Sequence, residues 1–357
     1  MPSPIKTVVR TNLWLSPIFE ERLAREAGIA LRICQVRAPA DDARAMLAAA
    51  HVFHVSPAKD ELPAHLVIDA AFLSGCPQLL IASSAGAGYD TIDVAACTAA
   101  GVAVVNQAGG NATSVAELAI GLMLDVSRRI SECDRRLRRE RGFSREEVMG
   151  RELSGKVVGV VGIGHTGRRV AALARAFGMT VLAFDPLLGA DEIDRRGAQA
   201  TSFDDLLARA DFVSLHCPRD AGTMGMMNAA AFARMKAGAI FITTARGGIH
   251  DEVALAAALA SGHLAGAGLD VWHPEPPPLD HPLLRMENVV ATFHTAGVTH
   301  EARRNVAAIA AEQIVDALNG GRPARLINPK VWPAYAARFE RILGAGVRPA
   351  GPGPAPA

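Results

Sequence analysis

The feature that most constrains the fold of this chain is a glycine-rich turn between a β-branched run and a helical pattern. The run VVGVV (157–161) leads into GIGHTG (162–167), and RRVAALARAFG, a pattern typical of a helix, follows it. A strand, a tight turn and a helix in this order begin a βαβ unit, whose crossover returns the chain to a parallel strand. The turn therefore predicts an α/β fold built on a parallel sheet.

The three glycines of the turn also suit a bound pyrophosphate. Gly162 permits the tight bend, Gly164 lets a pyrophosphate approach the backbone, and Gly167 lets the helix pack closely on the strand. The N-terminus of the helix offers free N–H groups and a partial positive charge. We therefore predict a dinucleotide site at this turn.

An acid at the end of the next strand indicates which dinucleotide is bound. The run TVLAF is followed by Asp185, whose carboxylate can accept hydrogen bonds from the hydroxyls of an adenosine ribose and would repel a 2′-phosphate. The next arginines, Arg195 and Arg196, come ten residues later. The sequence therefore favours NAD over NADP as the cofactor.

Strand-like runs alternate with Ala-rich helical patterns along the whole chain, which is typical of layered α/β proteins. Because single cores rarely exceed about 250–300 residues, a length of 357 residues indicates two domains. We expect residues 107–297 to form a continuous domain, inserted in a discontinuous domain of residues 1–106 and 298–335. Residues 336–357 are expected to be a C-terminal tail, disordered towards its Pro/Gly/Ala-rich end. Residues 113–132 are expected to form one long helix.

Charge and composition argue against several classes of function. The formal net charge of +1 provides no basic surface for nucleic acid or for an anionic membrane. No apolar run reaches the about 18 residues that span a bilayer, and the N-terminus lacks the pattern of a signal peptide. The five cysteines show no CxxC pairing, so neither structural zinc nor a disulfide framework is expected. We therefore expect a cytoplasmic protein without a bound metal.

Three more predicted strands end in side chains that suit carbonyl reduction. These are Arg246 in AIFITTARGG, Asp270 and Glu275 in GLDVWHPEPPP, and His294 in NVVATFHTAG. Open parallel sheets bind their ligands at such strand ends. A guanidinium can hold a substrate carboxylate and polarise the adjoining carbonyl, and a histidine can exchange the hydroxyl proton near neutral pH. A neighbouring glutamate would orient that imidazole and favour its charged form.

Seven ordered motifs resemble the D-isomer-specific 2-hydroxyacid dehydrogenase family, which includes phosphoglycerate, glyoxylate/hydroxypyruvate and D-lactate dehydrogenases. They extend from about residue 75 to 330 and read SSAGAGYDTID, NATSVAELAIGLML, GKVVGVVGIGHTGRRVA, HCPRDAGTMGMMN, TTARGGIHDEVAL, GLDVWHPEP and NVVATFHTAG. The resemblance implies two doubly wound parallel-sheet domains, with a Rossmann NAD-binding domain inserted in a discontinuous flavodoxin-like substrate domain. It also implies a homodimer that forms through the nucleotide-binding domain.

The resemblance also assigns roles to individual residues. It implies that Arg246, Glu275 and His294 are the catalytic set, with Arg246 on the substrate carboxylate and carbonyl and a Glu275–His294 pair as acid and base. The residues that it places at the substrate are Gly86, Gly88, Arg246 and His294. Those that it places at the cofactor are Ala87, Gly162, Gly164, His165, Thr166, Gly167, Asp185, Cys217, Thr244, Ala245, Asp270, Ala296 and Gly297. The expected reaction is hydride transfer between NAD(H) and a small 2-keto acid or its D-2-hydroxy acid, bound between the domains.

The segment after the third predicted strand bears on the substrate. Members of the family that act on 3-phosphoglycerate typically carry an arginine there, whereas HVSPAKDEL offers His54, Ser56 and Lys59. We also expect the chain after the last predicted helix to be too short for the regulatory domains that are often appended to such enzymes. A glyoxylate/hydroxypyruvate reductase-like enzyme is therefore expected, and a D-3-phosphoglycerate dehydrogenase-like enzyme is the alternative.

Two departures from the family pattern and two other functions stay open. Phe293 stands where proline often precedes the catalytic histidine, and His250 stands where a small apolar residue is common. The first is expected to affect the turn at His294. The chain could also be an NAD(H)-sensing, corepressor-like binding protein without turnover. The other alternative is a zinc hydrolase built from four residues of one Pro-rich segment, His273, Glu275, Asp280 and His281.

Overall fold

Parallel strands joined by helices make up residues 5–348, which are the residues that the computed structural model describes. The chain divides into two units, the first consisting of Met1–Asn111 and Thr299–Ala357 and the second of Ala112–Val298. The chain thus leaves the first unit after Asn111 and returns to it at Thr299. The boundaries predicted from the sequence lie a few residues earlier, at 106/107 and 297/298.

The regular elements are named here in chain order. The strands are β1 (Lys6–Thr11), β2 (Ile29–Cys34), β3 (Val52–Val55), β4 (Ile81–Ser84), β5 (Ala103–Val105), β6 (Val157–Val161), β7 (Thr180–Phe184), β8 (Gln199–Ala200), β9 (Phe212–Leu215), β10 (Ala239–Thr243), β11 (Leu264–Leu269) and β12 (Val289–Ala291). The helices are α1 (Ile18–Ala24), α2 (Ala40–Ala48), α3 (Ala70–Ser74), α4 (Val94–Ala99), α5 (Ala112–Arg128), α6 (Ile130–Arg139), α7 (Gly167–Ala176), α8 (Ala190–Arg195), α9 (Phe203–Arg209), α10 (Ala229–Arg234), α11 (Glu252–Ala260), α12 (His300–Leu318) and α13 (Trp332–Leu343). None of the helices within residues 5–348 has the length and apolar character needed to cross a bilayer.

The sheet of the first unit has five parallel strands in the order β2-β1-β3-β4-β5. This is the flavodoxin-like order 2-1-3-4-5, which confirms the predicted fold of the substrate domain. Every residue of β3 and β4 is buried. Strands covered on both faces of a parallel sheet have this pattern, because helices lie on either side.

The C-terminal helix corrects one prediction. Tyr335, Phe339 and Leu343 of α13 are buried in the same apolar cluster as Val8 and Ile81 of the sheet. Residues 336–343 are therefore helical and form part of the core of the first unit, rather than the start of a tail. Residues 349–357, for which disorder was predicted, lie outside the described residues.

The sheet of the second unit has seven parallel strands in the order β12-β11-β10-β9-β6-β7-β8. The strand order reverses between β6 and β9, and doubly wound sheets bind ligands beyond the carboxyl ends of the strands at such a reversal. This confirms the predicted Rossmann fold. It also means that β10, β11 and β12, whose ends lead to the predicted catalytic side chains, are neighbours in the sheet.

The long helix predicted for residues 113–132 is interrupted at Arg129. Its backbone is left-handed (φ 53°), which ends α5, and α6 begins at the next residue. The Arg129 guanidinium donates to the Glu132 carboxylate through Nε (2.7 Å) and to the Glu147 carbonyl (2.6 Å). A side chain that stabilises a break in this way is not visible in a pattern of apolar residues.

Candidate active site

The glycine-rich turn joins β6 to α7, as the sequence predicted, with Thr166 at the N-cap. At Gly162 the backbone is left-handed (φ 86°), and a Cβ there would lie 2.8 Å from the backbone nitrogen of Cys217. A Cβ at Gly167 would lie 2.1 Å from the Gly162 carbonyl oxygen. At Gly164 no described atom lies within 4 Å of the Cβ position, so the space beside the turn is open. The turn therefore fits a pyrophosphate at the helix N-terminus.

Asp185 follows β7 and is held by the turn itself. Its Oδ2 accepts a hydrogen bond from Ile163 N (3.0 Å), and its Oδ1 accepts one from Leu187 N (3.1 Å). Although ten residues separate Arg196 from this acid in the sequence, Arg196 Nη1 donates to the Ile163 carbonyl (3.0 Å). Glu192 forms an ion pair with the same guanidinium (2.7 Å), so its carboxylate, in addition to that of Asp185, offsets the positive charge of Arg196 near the turn. The fixed Asp185 carboxylate suits a ribose diol.

Four other predicted cofactor residues lie on the turn or after β9 and β10. His165 Nδ1 lies 3.2 Å from Arg168 Nη2, and burial raises the pKa of the Cys217 thiol to about 11, which keeps it neutral. Thr244 and Ala245 are buried after the end of β10. The Thr244 hydroxyl has no hydrogen-bond partner among residues 5–348. Because buried polar groups normally have partners, this hydroxyl suits contact with a bound ligand.

His294 and Glu275 form the closest pair of predicted catalytic groups. His294 Nδ1 lies 2.9 Å from Glu275 Oε2, and both side chains are partly exposed. Since a carboxylate only accepts hydrogen bonds, Nδ1 carries a proton and Nε2 is the atom that exchanges one. The structure thus brings two of the three predicted catalytic residues into direct contact, and an imidazole oriented by a carboxylate in this way can act as an acid and a base.

The turn that carries His294 is fixed by Asp270. This carboxylate is fully buried and accepts hydrogen bonds from Thr292 Oγ1 (2.6 Å), Thr295 N (2.8 Å) and Ala296 N (3.0 Å). The Asp270 carbonyl accepts a further bond from His294 N (2.7 Å). His294 itself has a left-handed backbone (φ 47°), which such a set of bonds stabilises. The sequence predicted only a cofactor contact for Asp270 and did not indicate this second role.

Arg246 lies at the same carboxyl edge, beyond the end of β10. Its Nη1 donates to the Ala245 carbonyl (2.7 Å). The next residue, Gly247, packs against the segment after β11, because a Cβ on it would lie 1.8 Å from the Trp272 carbonyl oxygen. The segment that presents Arg246 is therefore in close contact with the segment that leads to Glu275.

The predicted substrate residues Gly86 and Gly88, with Ala87 between them, form a loop after β4 in the first unit. Its carbonyl oxygens all accept hydrogen bonds within that unit. Gln107 N donates to Gly86 O (2.8 Å), Asn106 Nδ2 donates to Ala87 O (2.6 Å), and the Ser84 hydroxyl donates to Gly88 O. With its carbonyls held, the conformation of this loop is well defined before any ligand binds.

The two departures from the family pattern have different outcomes. Phe293 is exposed beside His294, whereas His250 is buried against the ring of Phe241. Burial lowers the pKa of His250 to about 4, and neither of its ring nitrogens has a hydrogen-bond partner among the described residues. His250 is thus an uncharged core residue. Gly297, a predicted cofactor residue, is half-buried at the end of the same turn as Phe293.

The four residues considered for a zinc site do not gather around one point. Glu275 contacts His294, whereas His281 pairs through Nε2 with Glu252 (3.0 Å). Within residues 5–348, no three His, Cys, Asp or Glu side chains are arranged to hold a metal ion.

A dinucleotide-binding sheet with an acid–base pair at its carboxyl edge, joined to a flavodoxin-like unit, is the architecture of a two-domain NAD-dependent dehydrogenase. Residues 120–296 match the family model described as D-isomer specific 2-hydroxyacid dehydrogenase, NAD binding domain. The chain belongs to the D-isomer specific 2-hydroxyacid dehydrogenase family, and NAD is its cofactor, as the sequence predicted.

The known proteins that resemble the chain differ in their substrates. It is 42% identical over 268 residues to a D-3-phosphoglycerate dehydrogenase of Archaeoglobus fulgidus, covering 75% of this chain and 51% of that one. It is 37% identical over 267 residues to a glyoxylate reductase of Korarchaeum cryptofilum, covering 74% and 80%. A crystal structure of D-lactate dehydrogenase from Aquifex aeolicus, complexed with NAD and lactic acid, has a TM-score of 0.77 at 26% identity, covering 90% and 99%. The chain spans about half the length of the D-3-phosphoglycerate dehydrogenases that it matches.

Proposed function

We propose that the chain is an NAD-dependent oxidoreductase that interconverts a small 2-keto acid and its D-2-hydroxy acid. The observation that carries this proposal is the 2.9 Å contact between His294 Nδ1 and Glu275 Oε2 at the carboxyl edge of the NAD-binding sheet. An imidazole held by a carboxylate is the group that carbonyl reduction requires, because the oxygen must gain a proton as the carbon gains a hydride.

The roles of the protein side chains follow from their chemistry. NADH, when bound, supplies the hydride to the carbonyl carbon. The Arg246 guanidinium would hold the substrate carboxylate and polarise the carbonyl with its fork of donors. Glu275 would keep the proton on His294 Nδ1, so that Nε2 gives its proton to the substrate oxygen during reduction and takes one during oxidation.

The charges in the segment after β3 support the proposal that the substrate is small and lacks a phosphate, as glyoxylate and hydroxypyruvate do. Its basic residue, Lys59, is exposed and is followed by two acids, Asp60 and Glu61. The Ser56 hydroxyl donates to the Glu61 carboxylate, so it is engaged within the segment. Burial lowers the pKa of His54 to about 3, which leaves this imidazole uncharged at neutral pH. A phosphate would find little positive charge here.

A D-3-phosphoglycerate dehydrogenase-like activity is the second candidate, since relatives at 39–45% identity are called D-3-phosphoglycerate dehydrogenases. Steady-state kinetics with NADH and NADPH against glyoxylate, hydroxypyruvate, 3-phosphohydroxypyruvate and pyruvate separates the two. We expect the highest kcat/KM with glyoxylate or hydroxypyruvate. A preference for 3-phosphohydroxypyruvate would establish the second candidate instead.

The role of His294 is tested by His294→Gln. We expect kcat/KM to fall by about 10²–10⁴-fold, while the Kd for NADH, measured by fluorescence titration, stays near that of the wild type. His263→Gln is the matched control, because His263 precedes β11 at the opposite, amino-terminal edge of the same sheet. Wild-type turnover by His294→Gln would contradict the proposed role. NADH binding without turnover of any keto acid by the wild type would favour an NAD(H)-sensing binding protein.

We further propose that the protein is a cytoplasmic homodimer that forms through the second unit. Helix α6 and the segment after it expose Ile130, Leu137 and Met149, each more than half accessible. Exposed apolar side chains near one another on a surface often mark a protein interface. Light scattering after gel filtration tests this, with Leu137→Glu expected to shift the mass to that of a monomer.

A further inference from the structure

The Glu275 side chain does little to hold the loop that carries it. It runs from the end of β11 to a 3-10 turn at Pro282–Arg285. Glu275 Oε2 contacts His294, but Oε1 is buried and has no hydrogen-bond partner among the described residues. A carboxylate with a single anchor does not fix its own position. The backbone on either side of Glu275 must therefore be held by other groups.

One carboxylate from a different element holds both ends of this loop. Glu252, the first residue of α11, accepts a hydrogen bond from His273 N at Oε1 (2.7 Å). Its Oε2 lies 3.0 Å from His281 Nε2. Both side chains are largely buried, with exposed fractions of 10% for Glu252 and 14% for His281. The two oxygens of Glu252 thus bind the residues that flank the Glu275 segment.

The protonation of His281 follows from its second contact. Leu283 N donates to His281 Nδ1 (3.3 Å), so Nδ1 holds a lone pair. The ring proton of neutral His281 is therefore on Nε2, which donates to Glu252. This bond needs no charge on the imidazole. Burial raises the pKa of Glu252, and the bonds from His273 N and His281 oppose that effect.

Trp272 connects this arrangement to the turn that carries His294. Its ring meets the His281 ring edge-on, with centroids 5.7 Å apart. Its indole N–H donates to the Thr292 carbonyl (3.0 Å), two residues before His294. We call Glu252 and His281, with the contact between them, the clamp. It holds the segment of Glu275 directly, and through Trp272 it is connected to the turn of His294.

We propose that Glu252 and His281 are positioning residues that hold the Glu275 carboxylate against His294. This role rests on the proposed dehydrogenase function. Neither residue is assigned to the substrate or the cofactor, and each acts on the reaction through Glu275. A displacement of about 1 Å in a catalytic group can cost about 100-fold in rate, so loss of the clamp has a measurable effect.

The kinetic test uses two variants of Glu252 and a double-mutant cycle. Glu252→Gln keeps an acceptor for His273 N but turns an amide N–H₂ towards His281 Nε2–H, whereas Glu252→Ala removes both bonds. We expect kcat/KM to fall by about 10-fold in Glu252→Gln and about 100-fold in Glu252→Ala. In a Glu275→Gln background the same changes should cost less than about 2-fold, because the carboxylate that the clamp positions is already gone. Equal losses in both backgrounds would overturn the proposal.

A spectroscopic readout tests the clamp without turnover. Long-range ¹⁵N–¹H spectra of protein labelled at histidine report the His294 ring, whose signals are assigned by their loss in His294→Gln. We expect Glu252→Ala to move these signals in the same direction as Glu275→Gln. Glu312→Gln is the control, because it removes one carboxylate that pairs with Arg22 in the first unit. His294 signals that stay fixed in Glu252→Ala would refute the positioning role.

The two hypotheses fail in different ways. If the wild type reduces no keto acid, the proposed function is wrong, and the His294 signals still decide whether Glu252 sets the contact with Glu275. If the wild type is active and Glu252→Gln, folded as judged by its Tm, keeps full kcat/KM, the clamp is wrong and the proposed function stands.

Discussion

Replacement of the buried His250 by valine should make the protein less sensitive to acid. His250 is 2% exposed, and neither ring nitrogen has a partner among the described residues. Burial is the largest cause of its low pKa, about 4 against an ordinary value of 6.5. Between pH 6.5 and about 4, His250 is therefore protonated in the unfolded chain but stays neutral in the folded chain. Stability is lost as the pH falls from 6.5 to about 4.

The size of this effect follows from the same two values. The interval between 6.5 and about 4 is about 2.5 pH units, and each unit corresponds to about 1.4 kcal/mol. His250 alone should thus destabilise the folded state by about 3 kcal/mol at pH 4, and by about 2 kcal/mol at pH 5, relative to pH 7. His54 and His216, whose pKa values burial lowers to about 3 and about 4, remain in the variant. The difference between the two proteins therefore isolates His250.

The assay is urea unfolding of the wild type and His250→Val at pH 7 and pH 5. Between pH 7 and pH 5, we expect the free energy of unfolding of the variant to fall by about 2 kcal/mol less than that of the wild type. His300→Ala, at the exposed first residue of α12, is the control and should follow the wild type. Parallel losses of stability in His250→Val and the wild type would refute the reasoning, because they would show that the buried imidazole does not resist protonation.

Three other substitutions test the site. Arg246→Lys replaces a fork of donors by a point charge and should lower kcat/KM by about 30- to 100-fold at nearly unchanged Kd for NADH; a collapse of NADH affinity would contradict its assignment to the substrate. Asp185→Ala should weaken NADH binding by about 10- to 100-fold and narrow the preference for NADH over NADPH in parallel titrations, and an unchanged ratio would count against the ribose contact. Gly247→Ala places a Cβ 1.8 Å from the Trp272 carbonyl oxygen and should lower the free energy of unfolding by about 1–3 kcal/mol. Gly121→Ala in α5 is the control and should not destabilise the protein, because outside its own helix no atom lies within 4 Å of the new Cβ. Equal stability of the two variants would show that the segment around Gly247 shifts to make room for the Cβ.

The sequence predicted the interior of each sheet well, because buried strands such as β6 and β10 are almost entirely apolar runs. It missed β2, an edge strand whose Arg32 and Ile33 are exposed, since a strand with one neighbour needs no such run. It also missed β8, which has two residues. Short edge strands are defined by pairing, and pairing is a property of the folded chain.

The site divides in a similar way. Gly162, Gly164 and Gly167 were predictable because each glycine answers a local backbone requirement at the turn. The clamp was not, because Glu252 lies in a stretch that resembles an ordinary helix start, and acids are common there. Its contacts with His273 and His281 join segments more than twenty residues apart, so no local pattern announces them.

The left-handed backbone at His294 has a consequence for anyone who would build this chemistry elsewhere. A residue other than glycine in that conformation costs about 1–2 kcal/mol, and Asp270 offsets this from the neighbouring strand through bonds to the turn. A scaffold that received only the histidine and its glutamate would let the peptide relax to a right-handed turn and aim the imidazole elsewhere. The smallest transplantable piece is therefore the pair of adjacent strand ends together, with the buried aspartate included.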